Sequence, residues 1–235
     1  MLFAACGSSG STPISRVFEA APWTGDETMT YTLLDEGSKP YGTCDLQTRP
    51  GFEPGKTALS FLCHDDRGNR DDQSAVVDAA SLRPFSATHT IVAPADNKRT
   101  EFSSTYQAQK VAFVADQNGK RITTERDLPQ PTTGAPDAGY YDEWSLLWLV
   151  RGIPLRAGFK GAYADVNAGT GRLFTVDISV QSREQVKVPA GTFDTWKVRV
   201  HTSSVTHYFW VEAGPPHRLI RARVEYATYE LLPSN

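Results

Sequence analysis

The sequence predicts an all-β fold: an antiparallel, strongly curved sheet or open β-barrel that holds one short buried helix. Two observations support this. Most of the 235 residues fall into short runs in which polar and apolar residues alternate, with turn residues between the runs. Such alternation is typical of strands with one buried face, and short turns between consecutive strands favour antiparallel pairing. In contrast, only one segment has clear helical spacing.

The strands of the first half are predicted from this alternation and from the turns that follow. The dipeptide Asn118-Gly119 is the clearest turn signal, because both of its residues tolerate the positive φ angles that a tight hairpin needs. It joins two predicted strands into a hairpin. The predicted strands of this half cover residues 28–33, 57–62, 88–92, 101–106, 110–115 and 120–125.

The predicted helix follows Asp142, whose side chain can cap its first turn. Gly152 suits the position just after a helix, and Pro154 prevents the helix from continuing. The helix is apolar nearly all round, so it must be buried. Its positions i, i+3, i+4 and i+7 are Trp144, Leu147, Trp148 and Arg151.

The last third of the chain is predicted to be a meander of strands. In residues 192–200, Trp196 and Val198 face one way while Lys197 and Arg199 face the other. The preceding turn contains Gly191, for which we expect a positive φ angle. The predicted strands cover residues 173–180, 184–188, 192–200, 206–211, 219–224 and 226–231.

We expect residues 1–22 to be a lipobox remnant with a flexible tether, and residues 23–235 to form a single β-rich domain. The three prolines of residues 127–136 indicate a loop. We interpret it as a surface loop of that domain, and an interdomain linker is the alternative.

The net charge of −3 gives no broad electrostatic signal for nucleic acid. No apolar run approaches the ~18 residues of a membrane-spanning helix.

Cys6 is a candidate lipidation site. It follows Ala4-Ala5 and precedes a Gly/Ser-rich stretch, as in the lipobox of bacterial lipoproteins, which would anchor an extracytoplasmic protein in a membrane through several acyl chains. Only five residues precede it, fewer than the roughly 7–15 apolar residues of a secretory signal. We therefore expect a longer reading frame or a trimmed signal. A cytosolic chain with a chance Ala-Ala-Cys is the alternative.

Cys44 and Cys63 remain once Cys6 is set aside, and they lie in two predicted strands. A disulfide between them would leave no unpaired thiol, which favours export, because disulfides persist outside the cytoplasm. Two free, buried thiols are the alternative.

The segment from Val186 to Val198, which reads VKVPAGTFDTWKV, resembles the central signature of an exported bacterial family, domain of unknown function 3108. The later Tyr208-Phe209-Trp210 and Tyr229-Glu230-Leu231, and the earlier LVRGIPL segment, resemble it too. The resemblance covers most of residues 23–232 and is most specific in the last hundred or so. It implies an exported, β-rich protein without an established activity.

The richest candidate site is a set of aromatic side chains that could line a cavity between helix and sheet. The alternative is that these side chains fill the core. If a ligand site exists, we expect it beside the helix and the C-terminal strands, with an apolar or sugar-like ligand. Its predicted residues are Trp144, Trp148, Trp196, Tyr208 and Trp210.

Other polar groups are weaker candidates. Residues 64–72 carry four carboxylates, which could bind Ca²⁺ but are more simply a solvated hairpin loop. His201 and His207 flank a turn, and we predict no metal site because a third ligand is missing. The basic face around Arg221 and Arg223 could contact anionic lipid, or be plainly solvated.

From these observations we predict a non-enzymatic cell-envelope lipoprotein without a cofactor. Its expected partners are the membrane, through Cys6, and either an apolar small molecule or an envelope protein. The alternative is a hydrolase or other enzyme acting on envelope polymers, although the sequence contains no Gly-x-Ser-x-Gly, His-Glu-x-x-His or phosphate-loop motif.

Overall fold

The computed structural model describes residues 13–133, 137, 139–202 and 204–234. It contains fifteen strands, a four-residue α-helix and two short 3-10 helices, Pro94–Asp96 and Glu143–Ser145. The α-helix, α1, is Leu146–Leu149. The strands are β1 (Glu27–Leu34), β2 (Pro40–Pro50), β3 (Lys56–Asp65), β4 (Arg70–Asp78), β5 (Pro84–Ala93), β6 (Lys98–Tyr106), β7 (Lys110–Gln117), β8 (Lys120–Asp127), β9 (Tyr140–Asp142), β10 (Lys160–Asn167), β11 (Arg172–Val188), β12 (Gly191–His201), β13 (Thr206–Glu212), β14 (Leu219–Val224) and β15 (Ala227–Leu231).

All fifteen strands belong to one curved sheet that does not close. Their order is β8-β7-β6-β5-β4-β3-β2-β1-β15-β14-β13-β12-β11-β10-β9. Every pair of neighbours is antiparallel except β9 and β10, which are parallel. The predicted fold class, an antiparallel curved sheet with one short buried helix, is therefore confirmed.

The edge strand β9 comes close to β6, the third strand from the opposite edge of the sheet, through side chains. β8 lies at one edge and β9 at the other, so the loop between them connects both ends of the same sheet. Near this junction the ring of Tyr106 on β6 stacks on that of Tyr140 on β9, with 6.3 Å between centroids. Ser104 and Tyr106 both donate hydrogen bonds to Asp142. These contacts curve the sheet around the helical segment.

The helical segment, residues 143–149, fills the space that the sheet encloses. Asp142 caps it as predicted, accepting a hydrogen bond of 3.0 Å from the Trp144 backbone N–H. The α-helix is shorter than the predicted one, whose positions run from Trp144 to Arg151, because the segment begins as a 3-10 turn and only four residues are α-helical. Trp148 is completely buried and donates its indole N–H to Thr48 on β2 at 2.9 Å.

Residues 13–23 pack against the end of the helical segment. Val17 and Phe18 are buried there, so the packed part of the chain begins before Trp23. The contact is close at Gly152, where an added Cβ would lie 2.1 Å from the Phe18 ring. Residues 1–12 lie outside the described residues, and the predictions of a lipidated Cys6 and of a tether fall mostly within them.

The structure contains the disulfide predicted between Cys44 and Cys63. These residues lie directly opposite each other on β2 and β3, with their Cα atoms 4.0 Å apart. Both are buried on the core face of the sheet. The bond therefore joins the central hairpin across its two strands.

None of the helices in the described part of the chain is long and apolar enough to cross a membrane.

Candidate functional site

A cleft of about 1100 Å³ opens beside the helical segment, at the end of the sheet where β3 meets β4 and β14 meets β15. The helical segment contributes Trp144, Leu146 and Leu147 to one wall. Strands of the sheet contribute Phe61, Phe102 and Tyr229 to the other walls. Pockets that bind small molecules are mostly apolar with a few placed polar groups. The lining of this cleft has such apolar walls but combines them with many polar and charged side chains.

A histidine and a carboxylate meet within the cleft. The Nε2 atom of His89 on β5 lies 2.7 Å from the Oδ1 atom of Asp71 on β4. The imidazole also packs edge to face with the Trp144 ring, with 5.2 Å between centroids. This arrangement fixes the orientation of the imidazole and lets it exchange a proton or donate a hydrogen bond to a bound molecule.

Three carboxyl groups lie close together at the cleft wall, two of them behind it and one lining the cleft. Asp142 is buried, and burial raises its pKa although Tyr106, Ser104 and the Trp144 N–H stabilise its charge. Burial likewise raises the pKa of Asp165 well above its usual range, with Glu143 adding to the effect. Glu143 lines the cleft itself, and burial, then Asp142, then Glu225 raise its pKa to about 8.

The structure does not bring the five predicted ligand-binding residues together. Trp144 lines the cleft, whereas Trp148 is buried in the core without reaching it. Trp196 lies opposite Val211, and Trp210 lies opposite Lys197. Because directly opposed residues share a face of an antiparallel sheet, Trp210 faces the same way as Lys197, away from Trp196. The expectation of one site between the helix and Trp196, Tyr208 and Trp210 is corrected accordingly.

Tyr208 and Trp210 instead form part of the outer face of β12 to β14. Lys197 lies over both rings, 5.0 Å from the centroid of Tyr208 and 5.3 Å from that of Trp210. The indole N–H of Trp210 donates to Glu184 at 2.5 Å. Trp196 is not part of this group. The guanidinium of Arg183 lies over the Trp196 ring, 5.7 Å from its centroid.

The remaining candidates separate as well. His201 lies opposite Thr206 and His207 lies opposite Val200, so the two imidazoles are on different faces of the sheet. Only His207 reaches the cleft, where burial lowers its pKa. In the described ranges, no group of three or more His, Cys, Asp or Glu residues is arranged to hold a metal ion.

The acidic segment of residues 64–72 comprises the last two residues of β3, the turn that follows and the first three residues of β4. Asp65 accepts hydrogen bonds from the backbone N–H groups of Arg67 and Asn69 and so closes the turn. Asp71 is different, because it points to His89 in the cleft. The sequence shows that this segment is polar, but it contains no signal that pairs Asp71 with His89, 18 residues away.

Comparison with known proteins identifies the family. The model of DUF3108, a family of proteins of unknown function, matches residues 59–228, well over half of the chain. The chain therefore belongs to the DUF3108 family, as the signature around Gly191 indicated.

Two solved structures are similar over most of their length. One is a candidate exported protein with a YmcC-like fold from Bacteroides fragilis NCTC 9343, at 9% identity and a TM-score of 0.29. The other is a candidate lipoprotein from Parabacteroides distasonis ATCC 8503, at 10% identity and the same TM-score of 0.29. In both cases the match covers 92% of this chain and 98% of the other. Similarity at this level supports no conclusion about function. No curated protein matches the chain.

Proposed function

We propose that this protein is an exported, lipid-anchored envelope protein that binds an apolar ligand in the cleft beside Trp144 and catalyses no reaction. The observation that carries the proposal is the cleft itself. Its volume of about 1100 Å³ lies just above the roughly 300–1000 Å³ typical of small-molecule pockets. A ligand of the size of a fatty chain or a ring system fits such a space.

The walls of the cleft favour an apolar ligand. Leu146 is only partly buried although its helix is otherwise enclosed, and it faces the cleft together with Leu147. Phe61 and Tyr229 pack edge to face across the opposite wall, with 5.3 Å between ring centroids. Covering this surface would remove apolar area from water, at about 25 cal/mol per Å². That gain provides the driving force for binding.

The binding proposal is tested by displacing an environment-sensitive apolar dye with decyl maltoside below its micelle-forming concentration. Leu146→Gln places a polar group in the cleft and should weaken binding of both molecules about tenfold. Leu173→Gln is the matched control, because Leu173 is equally half-buried against the core but lies outside the cleft. If neither molecule binds saturably, or if both variants weaken binding equally, the cleft is not the site.

Export and lipid anchoring are supported by the cysteines. The disulfide between Cys44 and Cys63 uses two of the three, and such bonds persist outside the cytoplasm. Cys6 is then left as a thiol in a lipobox-like sequence. Expression of the full reading frame, followed by membrane partition and intact mass, should show an acylated protein that Cys6→Ser converts to an unacylated one. Equal partition of the two proteins would refute the anchor.

An enzyme acting on envelope polymers is the second candidate, and the His89–Asp71 pair is the observation that favours it. An imidazole held by a carboxylate can act as a general acid or base. If the protein is such an enzyme, it should cleave a polymer such as peptidoglycan, and the His89→Gln variant should lose that activity. Binding without turnover supports the non-enzymatic proposal.

A further inference from the structure

The residues that line the cleft carry a pronounced excess of negative charge. Six carboxyl groups line it, of which Glu143 retains its proton up to about pH 8, and the only basic residues among its lining are Arg67 and Arg70, together with three histidines. The carboxyl groups are those of Asp35, Glu36, Asp65, Asp71, Glu143 and Glu225. The whole chain has a net charge of only −3, so much of its unbalanced negative charge is concentrated at this opening.

The two arginines neutralise only part of this charge. Arg67 pairs with Asp65 at 3.5 Å, and Arg70 pairs with Asp72, which is not part of the lining. Among the described residues, neither Glu143 nor Glu225 forms an ion pair. The charge of Glu225 contributes, after burial and Asp142, to the raised pKa of Glu143. A positive group between them would relieve that repulsion.

Aromatic rings surround the same space. Trp144 is held against His89, and Phe61 against Tyr229, so that their positions are fixed by neighbouring rings. Tyr41, Phe102 and Tyr226 complete the aromatic lining. Faces of aromatic rings attract cations, and sites that combine several rings with carboxylates recognise ammonium groups.

From this geometry we infer that the ligand of the cleft is a cationic amphiphile, with an amine or quaternary ammonium group attached to an apolar body. The apolar body lies against Leu146 and Leu147, and the positive end lies between Glu143 and Glu225 at the opening. This inference rests on the proposed binding function and adds the charge of the ligand to it. An anionic amphiphile would meet the same carboxylates and be repelled.

The test compares three probes that share a decyl chain and differ in the head group: decyltrimethylammonium, decyl maltoside and decyl sulfate. Each displaces the apolar dye below its micelle-forming concentration. We expect decyltrimethylammonium to bind about tenfold more tightly than decyl maltoside, a difference of about 1.4 kcal/mol, and decyl sulfate to bind most weakly. High salt should reduce the preference.

Two variants connect the preference to the cleft. Glu143→Gln combined with Glu225→Gln should bring decyltrimethylammonium to the affinity of decyl maltoside and leave decyl maltoside unchanged. Glu19→Gln is the control, because Glu19 is exposed and lies outside the cleft. Equal binding of all three probes to the wild-type protein would overturn the inference and leave the proposed binding function intact. Binding of none would overturn both.

Discussion

Replacing Glu143 by Gln should change how the stability of the protein depends on pH. Burial, with the charges of Asp142 and Glu225 adding to it, raises the pKa of Glu143 from 4.5 to about 8. Between these two values the unfolded chain releases a proton that the folded protein retains. The free energy of unfolding therefore falls as pH rises from 4.5 to about 8. Above that range Glu143 is ionised in both states and causes no further change.

The size of the effect follows from the shift. A difference of one between the folded and unfolded pKa corresponds to about 1.4 kcal/mol, so the full shift of Glu143 limits the loss of stability to roughly 5 kcal/mol. Glu143 lies at a cleft that is open to water, and screening by that water reduces the effect, so we expect about 2 kcal/mol. Gln keeps the size of the side chain and cannot ionise, so the Gln variant should lack this loss of stability.

The assay is urea unfolding with the disulfide intact, at about pH 5 and about pH 9, for the wild type, Glu143→Gln and Glu19→Gln. Asp142 and Asp165 also have raised pKa values and titrate in all three proteins, so only the difference between variants reports on Glu143. Glu143→Gln should be more stable than the wild type at the higher pH and similar to it at the lower. Parallel pH profiles for the wild type and Glu143→Gln would refute the reasoning.

Three further predictions test the packing by substitution. Replacing Cys44 and Cys63 by Ala should lower the free energy of unfolding by about 3 kcal/mol, because a cross-link across 19 residues restricts the unfolded chain; an unchanged urea midpoint would contradict this. Gly152→Val should cost about 2 kcal/mol, since its Cβ would overlap the Phe18 ring, and Phe18→Ala should recover part of that loss. Gly191→Val should lower the free energy of unfolding by about 1 kcal/mol, because the φ of 137° at Gly191 disfavours a β-branched residue. This loss is measured as a lower melting temperature, and equal melting temperatures would count against it.

Local signals in the sequence predicted much of the fold. Asn118 and Gly119 both have positive φ angles in the turn between β7 and β8, because a tight hairpin needs two residues that tolerate such angles. Asp142 caps the helical segment for a similarly local reason. In each case the residues that carry the signal also make the structure, without help from distant parts of the chain.

The candidate site was less predictable, because it depends on strand register and on contacts distant in sequence. Alternation showed that Tyr208 and Trp210 share a face, but the register of β12 and β13 decides that this face is that of Lys197 rather than Trp196. The pairing of Asp71 with His89 depends in the same way on the alignment of β4 with β5. Shifting either alignment by one residue would move these side chains to the other face.

The position of residues 13–23 was also missed, for a different reason. The Ser- and Pro-containing sequence before Trp23 resembles a tether, and Val17 and Phe18 are too few to form a strand pattern. Gly152 and Gly161 nevertheless leave space for these two side chains, since a Cβ on either glycine would overlap them. Such close packing depends on the tertiary structure and has no local signal.

The central claim is that an apolar chain occupies the cleft beside Trp144. The most direct measurement is a crystal structure of the protein with decyltrimethylammonium carrying bromine at the end of its chain, located by anomalous scattering. We predict bromine density against Leu146 and Leu147, with the ammonium group toward Glu143 and Glu225. Bromine found only on the outer face near Trp210, or absent at saturating concentration, would contradict the claim.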